Sequence, residues 1–398
     1  MHFKESIMGF FSIYKFQRSD VLVFGLIVFF LGFMCIDDTK LHNNIYYVLV
    51  LGPLLFCAQA RHFSELHQSP LANTFFIFLV YSVCTTFWSD FYSTELLVKY
   101  SKRAGYIYGL CLVTHIIVSD KPEFSRLLIK YLALAFSVFA CICLYIFYRD
   151  TYIEGSLDSI GRLWGANLLD HPTFFPTVLI AYIAARLLDK SDFSQKSDWL
   201  SLSFMVSLSI LVVVLSDSRS ACMALIALIT SYALIEKKFF WIIWIAVTVI
   251  TVFLLLWYTK SAIFFGRSGF QRLDIWMIFY ERWSECSFFF GCGMNGWKTQ
   301  ITNIGGEVYM HAHSSYIGQL HTGGTVQLVS YMALLSFFTY QGALIRATRP
   351  WTLVLVAGAT VSLFEFSKIL VTPSPLWLLI LIPMAMIITL SINEHRKN

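Results

Sequence analysis

Long apolar runs alternate with short polar segments along almost the whole chain. Spanning a ~30 Å hydrocarbon core takes about 20 mostly apolar residues per helix, and a lipid-embedded backbone must satisfy its own hydrogen bonds. The pattern therefore predicts an all-α polytopic membrane protein with about twelve transmembrane helices, several of which extend beyond short apolar runs. The twelve predicted spans are residues 20–36, 45–58, 71–88, 104–118, 127–147, 172–188, 199–216, 219–235, 239–258, 315–343, 351–370 and 375–392.

Composition supports the same class. Hydrophobic residues make up 57% of the 398 positions and charged residues only 13%, against about 25% charged residues in a typical soluble domain. The net charge of +5 is spread over many short segments, and no basic cluster is interleaved with aromatic residues, so nucleic acid is not an expected partner. Because no linker or repeat divides the chain, residues 1–398 are predicted to form a single transmembrane domain.

The distribution of Lys and Arg predicts the orientation of the chain. With both termini in the cytoplasm, sixteen of the 29 Lys and Arg residues lie on the cytoplasmic side, the side that positive charge favours. Five of the others fall in one outer interval, 259–313, and three cluster at Lys99, Lys102 and Arg103. Positive charge concentrated on the disfavoured side indicates an anionic ligand, although ordinary solvated loop charge explains the cluster at Lys99 equally well.

The interval 259–313 is the largest polar stretch and is predicted to be an outer loop. It begins with Lys260 and Arg267, and continues into a stretch around Arg272 with aromatic residues at helical spacing. This pattern is typical of an amphipathic helix that lies on the bilayer with its aromatic face at headgroup level. The aromatic residues in question are Trp276, Phe279, Tyr280 and Trp283.

A second polar segment, residues 216–220, separates two apolar runs with no room for a longer loop. Asp217 or Ser218 is a suitable N-cap for a helix that begins near Arg219. The free backbone N–H groups of that first turn, together with the guanidinium fork of Arg219, favour an anion site at the membrane surface. An Asp217–Arg219 ion pair that only closes a tight turn is an equally good interpretation.

Three histidines, His311, His313 and His321, lie at the end of the outer interval and just beyond it. A zinc site is the less favoured interpretation, because the spacing lacks a helical i, i+4 pair and a cysteine ligand set. A single general base at the entrance of a helix needs fewer coincidences, and His313 is the candidate. His311 and His321 are then hydrated loop residues that need not point to the same place as His313, and Ser314 or Ser315 caps the helix.

The cysteines do not form a disulfide framework. Seven of the nine lie in or near apolar runs, where cysteine usually acts as a small hydrophobic residue. Cys286 and Cys292 share the outer interval. They would pair only in an oxidising compartment, and the sequence leaves this question open.

The second half of the chain resembles the O-antigen ligases, within the broader superfamily of O-antigen ligases and polymerases. The resemblance rests on the order and spacing of several short motifs, while the first 150 residues add only hydropathy. The motifs are Ser218-Arg219-Ser220-Ala221, Arg272-Leu273-Asp274-Ile275-Trp276, Phe289-Phe290-Gly291-Cys292-Gly293, His313-Ser314 followed by Gly323-Gly324, and Gly161-Arg162-Leu163-Trp164-Gly165 with His171-Pro172. Family members often have Asn after the histidine, whereas this chain has Ser314.

The resemblance implies a GT-C-like glycosyltransferase that needs neither ATP nor a metal nor another cofactor. It would transfer a glycan from undecaprenyl diphosphate to a sugar hydroxyl of lipid A-core, at the periplasmic face of the bacterial inner membrane. In these roles Arg219 and Arg272 hold the diphosphate and His313 positions or deprotonates the acceptor. Side chains with an expected part in binding the diphosphate or the acceptor are Arg267, Lys260, Ser218, Arg162, Lys102, Arg103 and Glu365.

Other functions remain open at this stage. An O-antigen polymerase is the nearest alternative, but the 148–171 segment is short beside 259–313, whereas polymerases of the superfamily tend to carry two sizeable outer loops. A protein-directed oligosaccharyltransferase would share the motifs. A transporter is disfavoured, because apart from span ends and Glu365 the predicted spans contain almost no ionisable residues to line a pathway.

Overall fold

The computed structural model describes residues 17–153, 162–189, 196–238, 271–295, 302–304, 307–309, 311–366 and 368–396. Within these ranges the chain is almost entirely helical. Many helices carry apolar side chains on their outer surfaces, such as Leu55 and Phe56, each 80% exposed, and Ile77, 70% exposed. A belt of this kind is expected where lipid rather than water surrounds the protein. The protein is a helical polytopic membrane protein.

The bounds of the described elements are as follows. The α-helices are α1 (Arg18–Cys35), α2 (Thr39–Ile45), α3 (Gly52–Cys57), α4 (Ala60–His67), α5 (Pro70–Cys84), α6 (Thr94–Asp120), α7 (Phe124–Tyr148), α8 (Phe174–Leu188), α9 (Lys196–Ser216), α10 (Arg219–Ile235), α11 (Gln271–Ser284), α12 (Ser315–Leu344), α13 (Arg349–Val361) and α14 (Ile382–His395). Turns of π-helix at Tyr46–Leu51, Arg149–Ile153 and Trp377–Leu381 and of 3₁₀-helix at Asn167–Leu169 and Arg346–Thr348 complete the helical parts. Strands β1 (Thr302–Ile304) and β2 (Glu307–Tyr309) pair antiparallel.

Twelve spans are not confirmed by the described part of the chain. Four helices there are long and apolar enough to cross a membrane, and two bent helix pairs raise the number to six. Three apolar helices of 10–17 residues are shorter, and the predicted span 239–258 lies outside the described residues. The four long helices are Arg18–Cys35, Phe124–Thr151, Asp198–Ser216 and Trp377–His395, and the bent pairs are Thr39–Cys57 with Ala60–His67 and Ser315–Leu344 with Arg346–Val361.

Two predicted spans have wrong boundaries. The span predicted at 351–370 ends at Val361, and residues 362–366 and 368–374 are irregular and include Glu365. Periodicity missed this end, because the segment is nearly as apolar as the helix before it. The span predicted at 104–118 belongs to α6, which begins at Thr94. Lys102 and Arg103 therefore lie on a helix rather than in a loop.

Helix α13 lies at the centre of the packing. It contacts α8, α10, α12 and α14, and its Trp351 is fully buried. The indole N–H of Trp351 donates to the hydroxyl of Ser125 on α7 at 2.7 Å. Gly358 allows the close approach of the following chain, because a Cβ there would lie 2.3 Å from the carbonyl oxygen of Leu379. The end of α13, where Glu365 follows, is therefore held by a tightly packed core.

Helix α12 breaks at Gly323–Gly324, where Gly324 has a φ of +67°. The break leaves the carbonyl of His321 without its helical partner, and that oxygen accepts the backbone N–H of Cys292 at 2.8 Å. A Cβ on Gly324 would lie 2.2 Å from the carbonyl oxygen of Phe289. The loop after α11 thus packs directly on the break, at a distance that only glycine permits.

Candidate functional site

The turn between α9 and α10 presents Arg219 at the start of a helix. The Ser218 hydroxyl caps α10 by accepting the backbone N–H of Ala221 at 3.3 Å. The predicted N-cap at this turn is therefore confirmed as Ser218. Arg219 is exposed in the first turn of α10, where backbone N–H groups carry partial positive charge. The residue before the cap, Asp217, has a φ of +47°, an uncommon value for a residue with a side chain.

Arg162 fixes this turn from the segment that precedes α8. Its Nε and Nη2 atoms donate to the carbonyl oxygens of Ser216 at 3.1 Å and Asp217 at 3.0 Å. The Ser218 hydroxyl also lies 3.2 Å from the hydroxyl of Thr173. Arg162 and Ser218 therefore position the turn that carries Arg219. A direct contact of either residue with substrate stays a prediction.

Arg272, in the first turn of α11, joins three separate parts of the chain. Its Nη1 donates to the hydroxyl of Ser220 at 3.2 Å, and its Nη2 donates to Oε1 of Glu365 at 2.9 Å. Ser220 is the neighbour of Arg219, so the two predicted arginines lie in the same region. The Arg272 side chain remains 39% exposed. Its guanidinium also lies over the ring of Phe364, 5.8 Å from the centroid.

His313 stands directly before α12, as predicted. Ser314 caps the helix by accepting the backbone N–H of Ile317 at 3.4 Å, which confirms a serine cap here. His313 has a φ of +46°, which costs about 1–3 kcal/mol for a residue with a Cβ. Its Nδ1 lies 3.6 Å from Oε2 of Glu365, and its side chain is 31% exposed. The imidazole therefore faces both the carboxylate and the surface.

Glu365 is the residue that brings the site together. Its side chain is only 6% exposed, and its two oxygens face Arg272 and His313. Burial alone would raise the pKa of this carboxyl. The neighbouring imidazoles of His313 and His171 and the charge of Arg272 outweigh burial and hold the pKa of Glu365 below its ordinary value of 4.5. Glu365 is therefore a carboxylate at neutral pH.

His311 and His321 do not behave as hydrated loop residues. The rings of His311 and His313 are in contact, with centroids 3.9 Å apart, and Nδ1 of His311 accepts the backbone N–H of His313 at 3.3 Å. The ring of His311 therefore lies against that of His313, a point that the sequence left open. Burial lowers the pKa of His311 to about 4, helped by His313, so its ring is neutral. His321 lies inside α12, is 2% exposed and packs against Phe279.

His171 is a further member of this region, and it stood among the sequence motifs without a role of its own. Its ring stacks on Phe174 at 4.5 Å, and Phe174 stacks on Phe366 at 4.5 Å. Phe366 follows Glu365 directly, so this stack leads to the buried carboxylate. Burial lowers the pKa of His171, as do the charges of His313, Arg162 and Arg272, against the opposite effect of Glu365.

The aromatic face of α11 packs mainly on the protein. Phe279 is 3% and Trp283 is 6% exposed, and Phe279 joins a small cluster with Ile275 and Ala312. The prediction that this face lies on the bilayer is wrong for these two aromatic residues, because periodicity cannot tell a lipid surface from a neighbouring helix. Exposed apolar side chains occur instead at Leu273 (50%), Met277 (60%) and Tyr280 (56%), spaced at helical intervals.

The remaining predicted residues have separate positions. Arg103 donates to the carbonyl oxygen of Leu370 at 3.1 Å and lies over the ring of Tyr100, so it supports the irregular segment after α13. Lys102 is exposed on α6. Lys260 and Arg267 lie outside the described residues.

The structure answers the question about the cysteines. Cys286 and Cys292 form a disulfide, which closes the loop that packs on the break in α12. No group of three or more His, Cys, Asp or Glu side chains is arranged to hold a metal ion within the ranges that the structure describes.

Comparison with known proteins adds one distant relative. No family model matches the sequence. The chain is 25% identical over 383 residues to the O-antigen ligase of Pseudomonas aeruginosa, and the match covers 94% of this chain and 92% of that protein. The similarity extends over nearly the whole length. It suggests a relationship with an O-antigen ligase over nearly the whole chain, including most of the first 150 residues, where the motifs added nothing.

Proposed function

We propose that this protein is an O-antigen ligase that transfers a glycan from undecaprenyl diphosphate to a sugar hydroxyl of lipid A-core. The observation that carries the proposal is the convergence of Arg272, His313 and Glu365, with distances of 2.9 and 3.6 Å to the two carboxylate oxygens. These residues come from three distant parts of the chain. The full-length similarity to an O-antigen ligase agrees with this assignment.

The arrangement supports the following chemistry. Arg219 and Arg272 hold the diphosphate by charge-assisted hydrogen bonds and offset the negative charge that develops as it leaves. The acceptor hydroxyl attacks the anomeric carbon of the donor glycan while the bond from that carbon to the diphosphate oxygen breaks. His313 receives the hydroxyl proton. The leaving diphosphate supplies the driving force, so the proposed reaction uses no nucleotide, metal or other cofactor.

Glu365 keeps His313 in the form that this reaction requires. A carboxylate near Nδ1 favours the tautomer that carries its proton on that nitrogen, and Nε2 is then the acceptor. Glu365 also orients Arg272, so one buried charge aligns the base and one of the two diphosphate ligands.

The proposed location is the periplasmic face of the bacterial inner membrane, where the large loop 259–313 would lie. The Cys286–Cys292 disulfide supports this side, since disulfides persist in oxidising compartments such as the periplasm. Contacts within the protein also distinguish the predicted cytoplasmic side from the predicted outer side. Ion pairs Lys121–Asp20 and Arg396–Glu65 join segments predicted to be cytoplasmic, whereas Arg162, Arg272 and His313 join predicted outer segments.

The test is the lipopolysaccharide of a strain from which this gene is deleted. A ligase predicts loss of all long bands and accumulation of the lipid-linked glycan, both reversed by the wild-type gene but not by His313→Ala. A polymerase, the alternative with the same chemistry, predicts a band with a single repeat. Unchanged lipopolysaccharide together with unglycosylated proteins would instead indicate protein-directed transfer.

A further inference from the structure

The segment from Arg162 to Thr173 holds an exposed tryptophan on a firmly anchored backbone. Trp164 is 47% exposed. The residue before it, Leu163, is fully buried and donates its N–H to the carbonyl oxygen of Leu215 at 2.9 Å. The residue after it is Gly165, where a Cβ would lie 2.0 Å from the carbonyl oxygen of Leu169. Trp164 is thus presented by a backbone that is anchored on both sides of it.

The indole of Trp164 has a hydrogen-bond donor beside it. The rings of Trp164 and His171 lie at 6.3 Å, edge to face. Nδ1 of His171 accepts the backbone N–H of Thr173 at 3.2 Å, so the neutral ring carries its proton on Nε2 and donates from there. Stacking on Phe174 fixes the plane of the His171 ring. An apolar ring face next to one oriented donor suits a ligand with one apolar face and several hydroxyl groups.

The position of this pair relative to the reaction centre is also defined. Arg162, two residues before Trp164, holds the turn that carries Arg219. On the other side, His171 connects through Phe174 and Phe366 to the residue next to Glu365. Trp164 and His171 therefore lie between the segment that holds the Arg219 turn and the stack of rings that leads to the residue next to Glu365.

We propose that Trp164 and His171 form a pyranose subsite, in which a sugar ring stacks on the indole and a sugar hydroxyl accepts the Nε2 proton of His171. The proposal rests on the proposed function, because it places the sugar next to the transferred bond. The link through Arg162 to Arg219 favours the sugar attached to the donor diphosphate. The same chemistry would also recognise a sugar of lipid A-core, and the experiment distinguishes the two sources.

The test uses the full-length protein in liposomes with Trp164→Ala, Trp164→Phe and the control Trp199→Ala. Trp199 is exposed to a similar extent, 55%, on α9. We expect Trp164→Ala to raise the KM for the lipid-linked glycan about tenfold with kcat nearly unchanged, Trp164→Phe to keep most of the affinity, and Trp199→Ala to match the wild type. A tenfold change corresponds to about 1.4 kcal/mol. A rise confined to the KM for lipid A-core would assign the sugar to the acceptor.

A second variant separates the effect of the His171 N–H from the effect of its aromatic ring. His171→Phe keeps an aromatic ring to stack on Phe174 but removes the N–H, so it should also raise the KM. Direct binding makes the test independent of turnover: undecaprenyl diphosphate linked to one sugar should bind Trp164→Ala about tenfold more weakly, and sugar-free undecaprenyl diphosphate should bind it as it binds the wild type. Equal binding of the sugar-bearing lipid by Trp164→Ala and wild type, together with an unchanged KM for lipid A-core, would overturn the subsite, as would equal weakening for both lipids.

Discussion

Arg272 and Glu365 are 93 positions apart in the chain, and Nη2 of the arginine donates to Oε1 of the glutamate at 2.9 Å. The contact joins the start of α11 to the irregular segment after α13. Glu365 is 6% exposed, and an ionised group at such depth persists only when it is paired. Its other oxygen faces Nδ1 of His313. One carboxylate thus fixes the relative positions of the proposed diphosphate ligand and the proposed base.

Replacing Glu365 by Gln tests whether the carboxylate sets the tautomer of His313. The amide oxygen would stay with Arg272, so the amide NH₂ would face the imidazole and force Nδ1 to act as an acceptor. The proton would then occupy Nε2, which could no longer take a proton from the acceptor hydroxyl. We expect kcat to fall by about 10²–10⁴, the range found when a general base is lost or held in the wrong tautomer.

The measurement is ligation by reconstituted protein at saturating donor and acceptor. Glu365→Asp provides the matched variant, because it keeps the charge on a shorter side chain and should retain more activity than Glu365→Gln. If Glu365→Gln turns over at the wild-type rate, the carboxylate does not control the tautomer of the base.

The arginines are expected to bind the diphosphate through their planar forks as well as their charge. Arg219→Ala and Arg272→Ala should each cost about 2–4 kcal/mol of transition-state stabilisation, and Lys at either position should restore the charge but not the bidentate geometry. The measured quantity is kcat/KM for the lipid-linked glycan. Ser220→Ala is the control for Arg272, since it removes only the hydroxyl that Arg272 contacts at 3.2 Å. Wild-type ligation by a well-expressed Ala variant would show that its arginine is structural.

The break in α12 is expected to depend on glycine. Gly324 has a φ of +67°, and a Cβ there would lie 2.2 Å from a backbone oxygen, so Gly324→Ala should destabilise the protein by more than about 1 kcal/mol. Gly105 on α6 has no heavy atom within 4 Å of a built Cβ, so Gly105→Ala should be neutral or stabilising. Thermal unfolding in detergent at one scan rate compares the two variants. Equal unfolding temperatures would mean that the close contact between the loop and the break in α12 does not contribute to stability.

The predicted orientation has its own test. Alkaline phosphatase, which is active only outside the cytoplasm, should be active when fused at Asn303 and silent when fused at Lys397. The expectation follows from the distribution of Lys and Arg. The reverse pattern would place loop 259–313 in the cytoplasm and remove the basis for a periplasmic reaction.

Rules that depend only on adjacent residues correctly predicted the helix ends that border the site. The helix at Arg219–Ile235 has the predicted bounds and a Ser218 cap, because a capping hydroxyl and the first turn of a helix are encoded by adjacent residues. The serine cap before α12 followed from the same rule. Arg219, Arg272 and His313 were singled out from such local features and from the resemblance, and their surroundings agree with a shared site.

Contacts between distant segments could not be predicted in the same way. Glu365 appeared to be a lone ionisable residue inside the predicted span 351–370, because hydropathy does not register that α13 ends at Val361. The aromatic spacing of α11 predicted an apolar face but not that Phe279 would pack on the protein. His171 belonged to one of the motifs behind the resemblance, but nothing in its local sequence indicated its role. Its place beside Glu365 follows from packing through Phe174 and Phe366.

The most direct test of the central claim is a reconstituted ligation assay with purified protein, undecaprenyl-diphosphate-linked glycan and lipid A-core. The assay contains a chelator and no ATP, and compares the wild type with His313→Ala and His311→Ala. We predict glycan-bearing lipopolysaccharide from the wild type, none from His313→Ala, and reduced but measurable product from His311→Ala, whose ring only supports that of His313. Ligation by His313→Ala at the wild-type rate, or wild-type ligation that disappears with the chelator, would contradict the account.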